Sequence, residues 1–347
     1  MPSSLLLILS LSSFVISLLA VFFIKQRFSQ QLLDIPNARS SHTQPTPRGG
    51  GVGFIIAFAL TSTIAALLVA VSDLPLLPLW LSVIPLAIIG ILDDRQGVSS
   101  GIRYLVQLLT AAIATAYLGV FPQPWLANFG AVGIIIATVL TVIGMTAIIN
   151  FYNFMDGLDG LVAGCATVQL AFLALYLNQP ILWLLVAAIG GFLYWNWSPA
   201  KIFMGDAGST VLGAIVTISL LSTPADTVSA WTALAITLPL IGDAIYTLCC
   251  RLLRRENIFQ AHRSHIFQRL QQAGWTHARV AIAYISLNCF IALSIAYLGT
   301  TGAWLSLGTT ILAILVSEIY LKYRVKTMKL MLPPKVVSTQ NDSKIFK

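Results

Sequence analysis

The chain has 347 residues, 57% of them hydrophobic and 9% charged, against about 45–50% apolar and about 25% charged residues in an ordinary soluble domain. Its net charge is +8, from 20 Lys and Arg over 12 Asp and Glu. Those proportions exclude a soluble globular enzyme and point to an all-α, polytopic integral membrane protein.

Eleven apolar stretches are read in chain order as helices able to cross a hydrocarbon layer about 30 Å thick. They are 4–24, 51–72, 76–92, 103–120, 131–149, 159–177, 181–196, 207–222, 228–250, 278–298 and 302–321. The seventh and eighth are short and interrupted by Gly or polar residues. No basic residue precedes the first stretch and no small-residue cleavage signal follows it, so it reads as an uncleaved anchor. The four cysteines, Cys165, Cys249, Cys250 and Cys289, lie inside these stretches without metal-site or disulfide spacing.

With eleven crossings, the segments 25–50, 93–102, 150–158, 197–206, 251–277 and 322–347, with the adjoining helix ends, face one side and hold all 20 basic residues. The positive-inside rule makes that side cytoplasmic, with the N-terminus outside and the C-terminus inside. Most of the acids gather there too, so polar chemistry is expected at the cytoplasmic face. Residues 1–321 read as a single transmembrane catalytic domain, and residues 322–347 as a polar tail expected to be disordered.

The first long loop, from Asp34 through Arg39, His42 and Arg48 to Gly51, supplies stiff proline turns, basic side chains and glycines. It is a connector or a phosphate contact. Asp93 and Asp94 end the third span. Adjacent carboxylates raise each other's pKa unless a cation stands by, and an acid at a helix C-terminus is unfavourable, so the pair points to a metal or a general base rather than a solvated helix end. Asn153, Asp156 and Asp159 follow the fifth span at three-residue spacing with Gly157 and Gly160 among them. One aspartate there would be a cap; three oxygen-bearing side chains suit Mg²⁺, which binds through one or two carboxylates plus substrate phosphates. Lys201 and Gly205-Asp206-Ala207-Gly208-Ser209 lead into the eighth span and offer a carboxylate and free backbone N–H groups at a positive helix end, although Asp and Ser at such places are commonly caps. Asp243 lies inside the ninth span, where a carboxylate needs a polar partner or cavity. His262, Arg263, His265 and Arg269 in the last loop offer donors for phosphate oxygens, or a basic face held to anionic lipid.

In this order, DIPNARSSHTQPTPRGGG, LDDR, NFMDGLDGL, FMGDAGSTVLG and HRSHIFQRL resemble the polyprenyl-phosphate N-acetylhexosamine-1-phosphate transferases, over residues 34 to 270. The resemblance implies a bacterial plasma-membrane enzyme with its site on the cytoplasmic face. It implies Mg²⁺, with Mn²⁺ as a substitute, and attack of a polyprenyl phosphate oxygen on the sugar-linked phosphorus of a UDP-N-acetylhexosamine, releasing UMP. Carried over, Asp93, Asp94 and Asp156 are the catalytic carboxylates, with Asp93 the base or orienter for the lipid phosphate. Asp206, Asn153 and Asp156 are the metal ligands, and Asn153, Asp159, Lys201, Arg39, His262, Arg263 and His265 the substrate contacts. UDP-N-acetylhexosamine, polyprenyl phosphate and the bilayer are the implied partners, a homodimer stays open, and no nucleic acid is expected. The phospho-muramoyl-pentapeptide branch carries consecutive histidines in the last loop; His262-Arg263-Ser264-His265 departs from that and favours simple UDP-amino-sugars, as in O-antigen or capsule initiation. A proton-coupled transporter is the rival from another class. It predicts acids near the midplane and internal repeats, whereas here the acids crowd one face.

Overall fold

The computed structural model describes residues 1–28, 31–36, 41–42, 44–69, 75–222, 227–258, 260 and 262–331. Each apolar stretch forms helix. The helices are α1 (Ser3–Phe28), α2 (Gly51–Leu68), α3 (Leu76–Gln96), α4 (Ser100–Leu118), α5 (Gly130–Met155), α6 (Leu161–Tyr176), α7 (Leu182–Asn196), α8 (Asp206–Leu221), α9 (Thr227–Leu234), α10 (Leu238–Leu253), α11 (Ile266–Gln272), α12 (His277–Leu298) and α13 (Thr300–Met331). A short antiparallel ribbon of β1 (Leu33–Asp34) and β2 (Thr46–Pro47), with Leu33 opposite Pro47, is the one departure from all-helix among the described residues.

Eight segments are long and apolar enough to span a membrane, and α6, α7 and α8 are apolar but shorter. The protein is therefore a polytopic helical membrane protein. At 1.5 Å per residue, the 16 residues of α8 reach only about 24 Å, but α8 has no lipid to match. Every residue from Ala207 to Leu221 is buried, enclosed mainly by α3 and α5 with help from α2, α4 and α6. Close approach makes this possible: Gly90 of α3 lies against the Ala207 backbone and Gly51 of α2 against Gly208, where a Cβ on either glycine would strike main chain.

Two sequence expectations are refined by the structure. The ninth stretch is not one helix: α9 ends at Leu234, a 3₁₀ turn covers Ala235–Thr237, and α10 begins with Pro239 in its first turn, where a proline's missing N–H costs nothing. The polar segment from Lys322 begins inside a helix, because α13 stays helical to Met331; residues 332–347 lie outside the described residues.

Polar pairs lock the bundle where lipid cannot satisfy them. Gln169 accepts from the Tyr152 hydroxyl at 2.5 Å and donates to Asn288 at 2.8 Å, which ties α5, α6 and α12. Ser13 donates to the Leu184 carbonyl at 2.8 Å, joining α1 to α7.

Candidate active site

The chain at 47–51 is stitched to the turn before α8. Phe203 N donates to the Pro47 carbonyl at 2.8 Å, and the amides of Gly50 and Gly51 donate to the carbonyls of Phe203 and Met204, both at 2.9 Å. This pairing brings the first loop beside Gly205, whose φ of +80° turns the chain sharply into α8 in a conformation that side-chain-bearing residues avoid. Asp206 then opens α8, and its amide donates to Asp94 Oδ1 at 3.2 Å. The third span's last turn is thus joined to the start of the eighth.

The carboxylates meet around Arg103. Its Nη1 lies 2.8 Å from Asp93 Oδ2 and 3.0 Å from Asp206 Oδ2, while Asp93 Oδ1 accepts from Val98 N at 2.5 Å. Asp94 is buried, with Arg48 Nε at 3.9 Å from Oδ1 and no hydrogen-bond partner for Oδ2 among the described residues. Asn153 donates to Ser209 Oγ at 3.0 Å. Asp159 accepts from Ala200 N at 3.1 Å and holds His277 Nδ1 at 3.1 Å, and the other ring nitrogen of His277 lies 3.2 Å from the Ser41 carbonyl.

A polar cavity of about 350 Å³ is lined by Arg48, Asp94, Asn153, Asp156, Asp159 and Asp206, with Phe203, Gln268 and His277. Beside it a second cavity, of about 440 Å³, mixes Leu86, Ile89, Tyr104 and Phe154 with Arg103, His262 and His265. Asn153, Asp206 and Gln268 line both.

Burial, with the charges of Asp206, Asp94 and Asp159 nearby, pushes the Asp156 carboxyl up to about 8. Burial works on Asp159 in the same direction, but the hydrogen bond and charge of His277, with the Ala200 amide, hold it below the usual carboxylate range. Burial, then the charges of His265 and Arg251, pushes His262 down to about 4, so it is a neutral imidazole near pH 7.

These observations bear on a divalent cation. Among the described residues no three His, Cys, Asp or Glu side chains form a ready cage. Five carboxylates, those of Asp34, Asp94, Asp156, Asp159 and Asp206, nevertheless face one cavity, and both the unpartnered Asp94 oxygen and the raised Asp156 ask for positive charge. That fits an ion such as Mg²⁺, which takes one or two protein carboxylates and completes its shell with water and phosphate oxygens.

Asp94, Asn153, Asp156, Asp159 and Asp206 come together as expected from the sequence, and His262 and His265 reach the adjoining cavity. Asp93 lines neither cavity and spends its oxygens on Val98 and Arg103. Lys201 sits over the Tyr194 and Trp195 rings at 5.5 and 5.4 Å, outside both cavities. Arg263 lines a separate cavity, and Arg39 falls outside the described residues. The structure adds Arg103, His277 and Gln268. Arg103 at a helix start after a pair of aspartates was visible in sequence as a potential counter-ion; His277 carried no local signal beyond opening α12 after the N-cap Thr276.

The model of the family described as "Glycosyl transferase family 4" matches residues 76–223, which carry three of the five motifs. Over 333 residues the chain is 30% identical to the "Probable undecaprenyl-phosphate N-acetylglucosaminyl 1-phosphate transferase" of Bacillus subtilis (strain 168), covering 88% of this chain and 90% of the relative. The chain belongs to the polyprenyl-phosphate N-acetylhexosamine-1-phosphate transferases. Two further relatives bear the name undecaprenyl-phosphate alpha-N-acetylglucosaminyl 1-phosphate transferase. The one from Pasteurella multocida (strain Pm70) is 33% identical, with 77% of this chain and 79% of the relative covered. The one from Thermotoga maritima is 31% identical, with 82% and 87% covered. As a member of this transferase family the chain spans most of the length of these relatives, and each of its five motifs contributes residues to the lining of the two cavities.

Proposed function

We propose that the protein transfers N-acetylhexosamine 1-phosphate, with N-acetylglucosamine the first sugar to test, from a UDP-sugar onto undecaprenyl phosphate at the cytoplasmic face of the bacterial plasma membrane. The observation that carries this reading is the junction of two unlike cavities at Asn153, Asp206 and Gln268, one lined by carboxylates and the other partly apolar. A nucleotide diphosphate fits the first. The phosphate end of an isoprenoid fits the second, with its chain leaving into the bilayer.

In that arrangement an oxygen of the lipid phosphate attacks the sugar-linked phosphorus. The P–O bond to the other phosphorus breaks, and UMP leaves with the electron pair. Positioning and charge neutralisation dominate such displacements. Asp94, Asp156, Asp206 and Asn153 would hold Mg²⁺, which supplies Lewis-acid neutralisation of the phosphate oxygens. Arg103 places a guanidinium in the second cavity against Asp206 and Asp93 orients it, so Asp93 would act on the lipid phosphate through Arg103 rather than as the base or direct orienter expected from the sequence. His262 and His265 offer N–H donors to the lipid phosphate, and Asp159 with His277 fixes the wall of the nucleotide cavity.

Eleven crossings with the N-terminus outside agree with the convergence of 44–48, 93–107, 150–159, 196–210 and 262–277 on one end of the bundle. A homodimer is compatible with the large lipid-facing surface of α5. The test is incubation of purified protein with undecaprenyl phosphate, Mg²⁺ and a panel of UDP-sugars, reading UMP release and lipid-linked sugar. Release with UDP-N-acetylglucosamine that chelation abolishes is expected. No release with any UDP-N-acetylhexosamine would sink the proposal.

A further inference from the structure

A third cavity, of about 210 Å³, shares no lining residue with the two described above. Arg251 and Arg254 from the end of α10, Arg263 from the following loop and Arg269 from α11 line it, with the hydroxyls of Thr247 and Ser264. Four guanidiniums around so small a space repel one another unless anions stand among them. Two carboxylates partly answer: Arg251 pairs with Glu256 at 2.8 Å and Arg269 pairs with Glu318. Arg251 also donates to the Asn257 carbonyl at 2.7 Å.

The remaining observations point to an anion from outside the chain. The Arg251 side chain is only 9% exposed, yet its Nε has no hydrogen-bond partner among the described residues. Such buried donors are normally satisfied. Arg254 stands exposed where the apolar helix gives way to Arg255 and Glu256, which is where a phospholipid headgroup meets water. Leu252 and Leu253 beside it are 65% and 84% exposed, an apolar surface that acyl chains cover.

We propose that this cavity holds the phosphate of an anionic phospholipid of the surrounding bilayer, with its acyl chains along Leu252 and Leu253. The adjoining apolar surface favours a lipid over free phosphate. The absence of any lining residue shared with the Asp206 cavities separates it from the lipid that is consumed. The site has a route to activity. Arg263 and Ser264 line it, while their neighbours His262 and His265 line the second cavity of the active site, so a phosphate held by the first pair steadies the second. This regulatory half rests on the proposed transfer reaction; lipid binding itself does not.

The experiment uses the full chain in nanodiscs of phosphatidylcholine alone or mixed with phosphatidylglycerol. Retained lipid is read by native mass spectrometry and transfer by UMP release. A phosphatidylglycerol that survives detergent exchange is expected, together with a several-fold higher rate in the mixed discs. Arg254→Gln and Arg251→Gln should each lose the retained lipid and the stimulation, while Arg254→Gln keeps the rate seen in phosphatidylcholine. Retention undiminished in both variants overturns the proposal. So does displacement of the retained lipid by inorganic phosphate, which assigns the cavity to a free anion, or by undecaprenyl phosphate, which assigns it to the substrate. Because retention is read without turnover, an inactive protein that still holds phosphatidylglycerol through Arg254 would defeat the transfer reading and leave this one standing.

Discussion

Replacing Asp243 by Asn tests whether a carboxylate deep in α10 holds the histidine loop in place. The side chain is 2% exposed. Its Oδ1 accepts from Ile266 N at 2.9 Å and Thr247 Oγ1 at 3.0 Å, and its Oδ2 from Phe267 N at 3.2 Å and Tyr284 Oη at 2.7 Å. His265 Nδ1 lies 3.6 Å from Oδ1. In Asn one oxygen becomes an amide NH₂, so on either orientation it confronts one hydroxyl and one backbone N–H. The hydroxyl can turn and accept; the N–H cannot. An orphaned buried donor costs about 1–3 kcal/mol, and weakening the remaining bonds by removing the charge adds roughly 1 kcal/mol. Those amides are the first of α11, so the cost falls on the placement of His265 and Gln268 rather than on the spans. Local relaxation absorbs part of it, and at about 1.4 kcal/mol per tenfold in rate kcat should fall about 10- to 100-fold. The thermal midpoint should drop by a few degrees only. The assay is UMP release at saturating substrates beside thermal unfolding in the same detergent, with Tyr284→Phe, which removes one neutral donor, as the milder control. An Asp243→Asn protein whose kcat stays within about twofold of wild type refutes the reasoning, since the estimate leaves no such margin.

Asp156 makes a prediction about pH. Its folded pKa, about 8, lies above the ordinary 3.8, so between those values the folded protein binds a proton that the unfolded chain has released, and cation-free protein loses stability as pH rises through that window. Mg²⁺ should therefore raise the thermal midpoint more at pH 8 than at pH 6, and Asp156→Asn should flatten the difference; equal shifts in wild type at both values would count against a cation beside this carboxylate. Arg103→Ala removes the guanidinium shared by Asp93 and Asp206 and should lower kcat/KM at least about 100-fold by the usual worth of a lost charge-assisted contact in a transition state, with the protein still inserted and monodisperse. Gly205→Ala places a Cβ against the Asp94 carboxylate at a positive φ. It should abolish most transfer for a backbone strain of about 1–2 kcal/mol, so an active, stable Gly205→Ala protein would show that Asp94 has room to spare.

Much of the fold was legible because hydrophobic length is a strong signal in a membrane chain. Among the described residues each of the eleven apolar stretches forms helix, and the shortness read in the seventh and eighth returns in the 15 residues of α7 and the 16 of α8. The break at Ala235–Thr237 was less visible, since Pro239 reads as tolerable in a span until a helix is seen to start there. At the site, the sequence could gather Asp94, Asn153, Asp156, Asp159 and Asp206 because each sits at a helix end, and helix ends on one side must meet. What it could not read was side-chain direction. Asp93 and Asp94 are neighbours about 100° apart on a helix, so one faces the cavity and the other faces Arg103, and only the packing of α3 on α8 decides which. Lys201 finds aromatic faces next to it in space, and Arg263 points across its loop from His262. His277 depends on contacts with Asp159 and Ser41, far away in sequence, which no local pattern encodes.

The complete enclosure of α8 has a consequence for how the enzyme comes into being. Asp206 stands at the head of a helix whose every following residue is gripped by neighbours, so its carboxylate cannot be set in place until α2, α3 and α5 have closed round that helix. Half-finished chains leaving the insertion machinery would carry most of the acidic motifs but no assembled centre. Activity thereby reports the last stage of assembly in the bilayer.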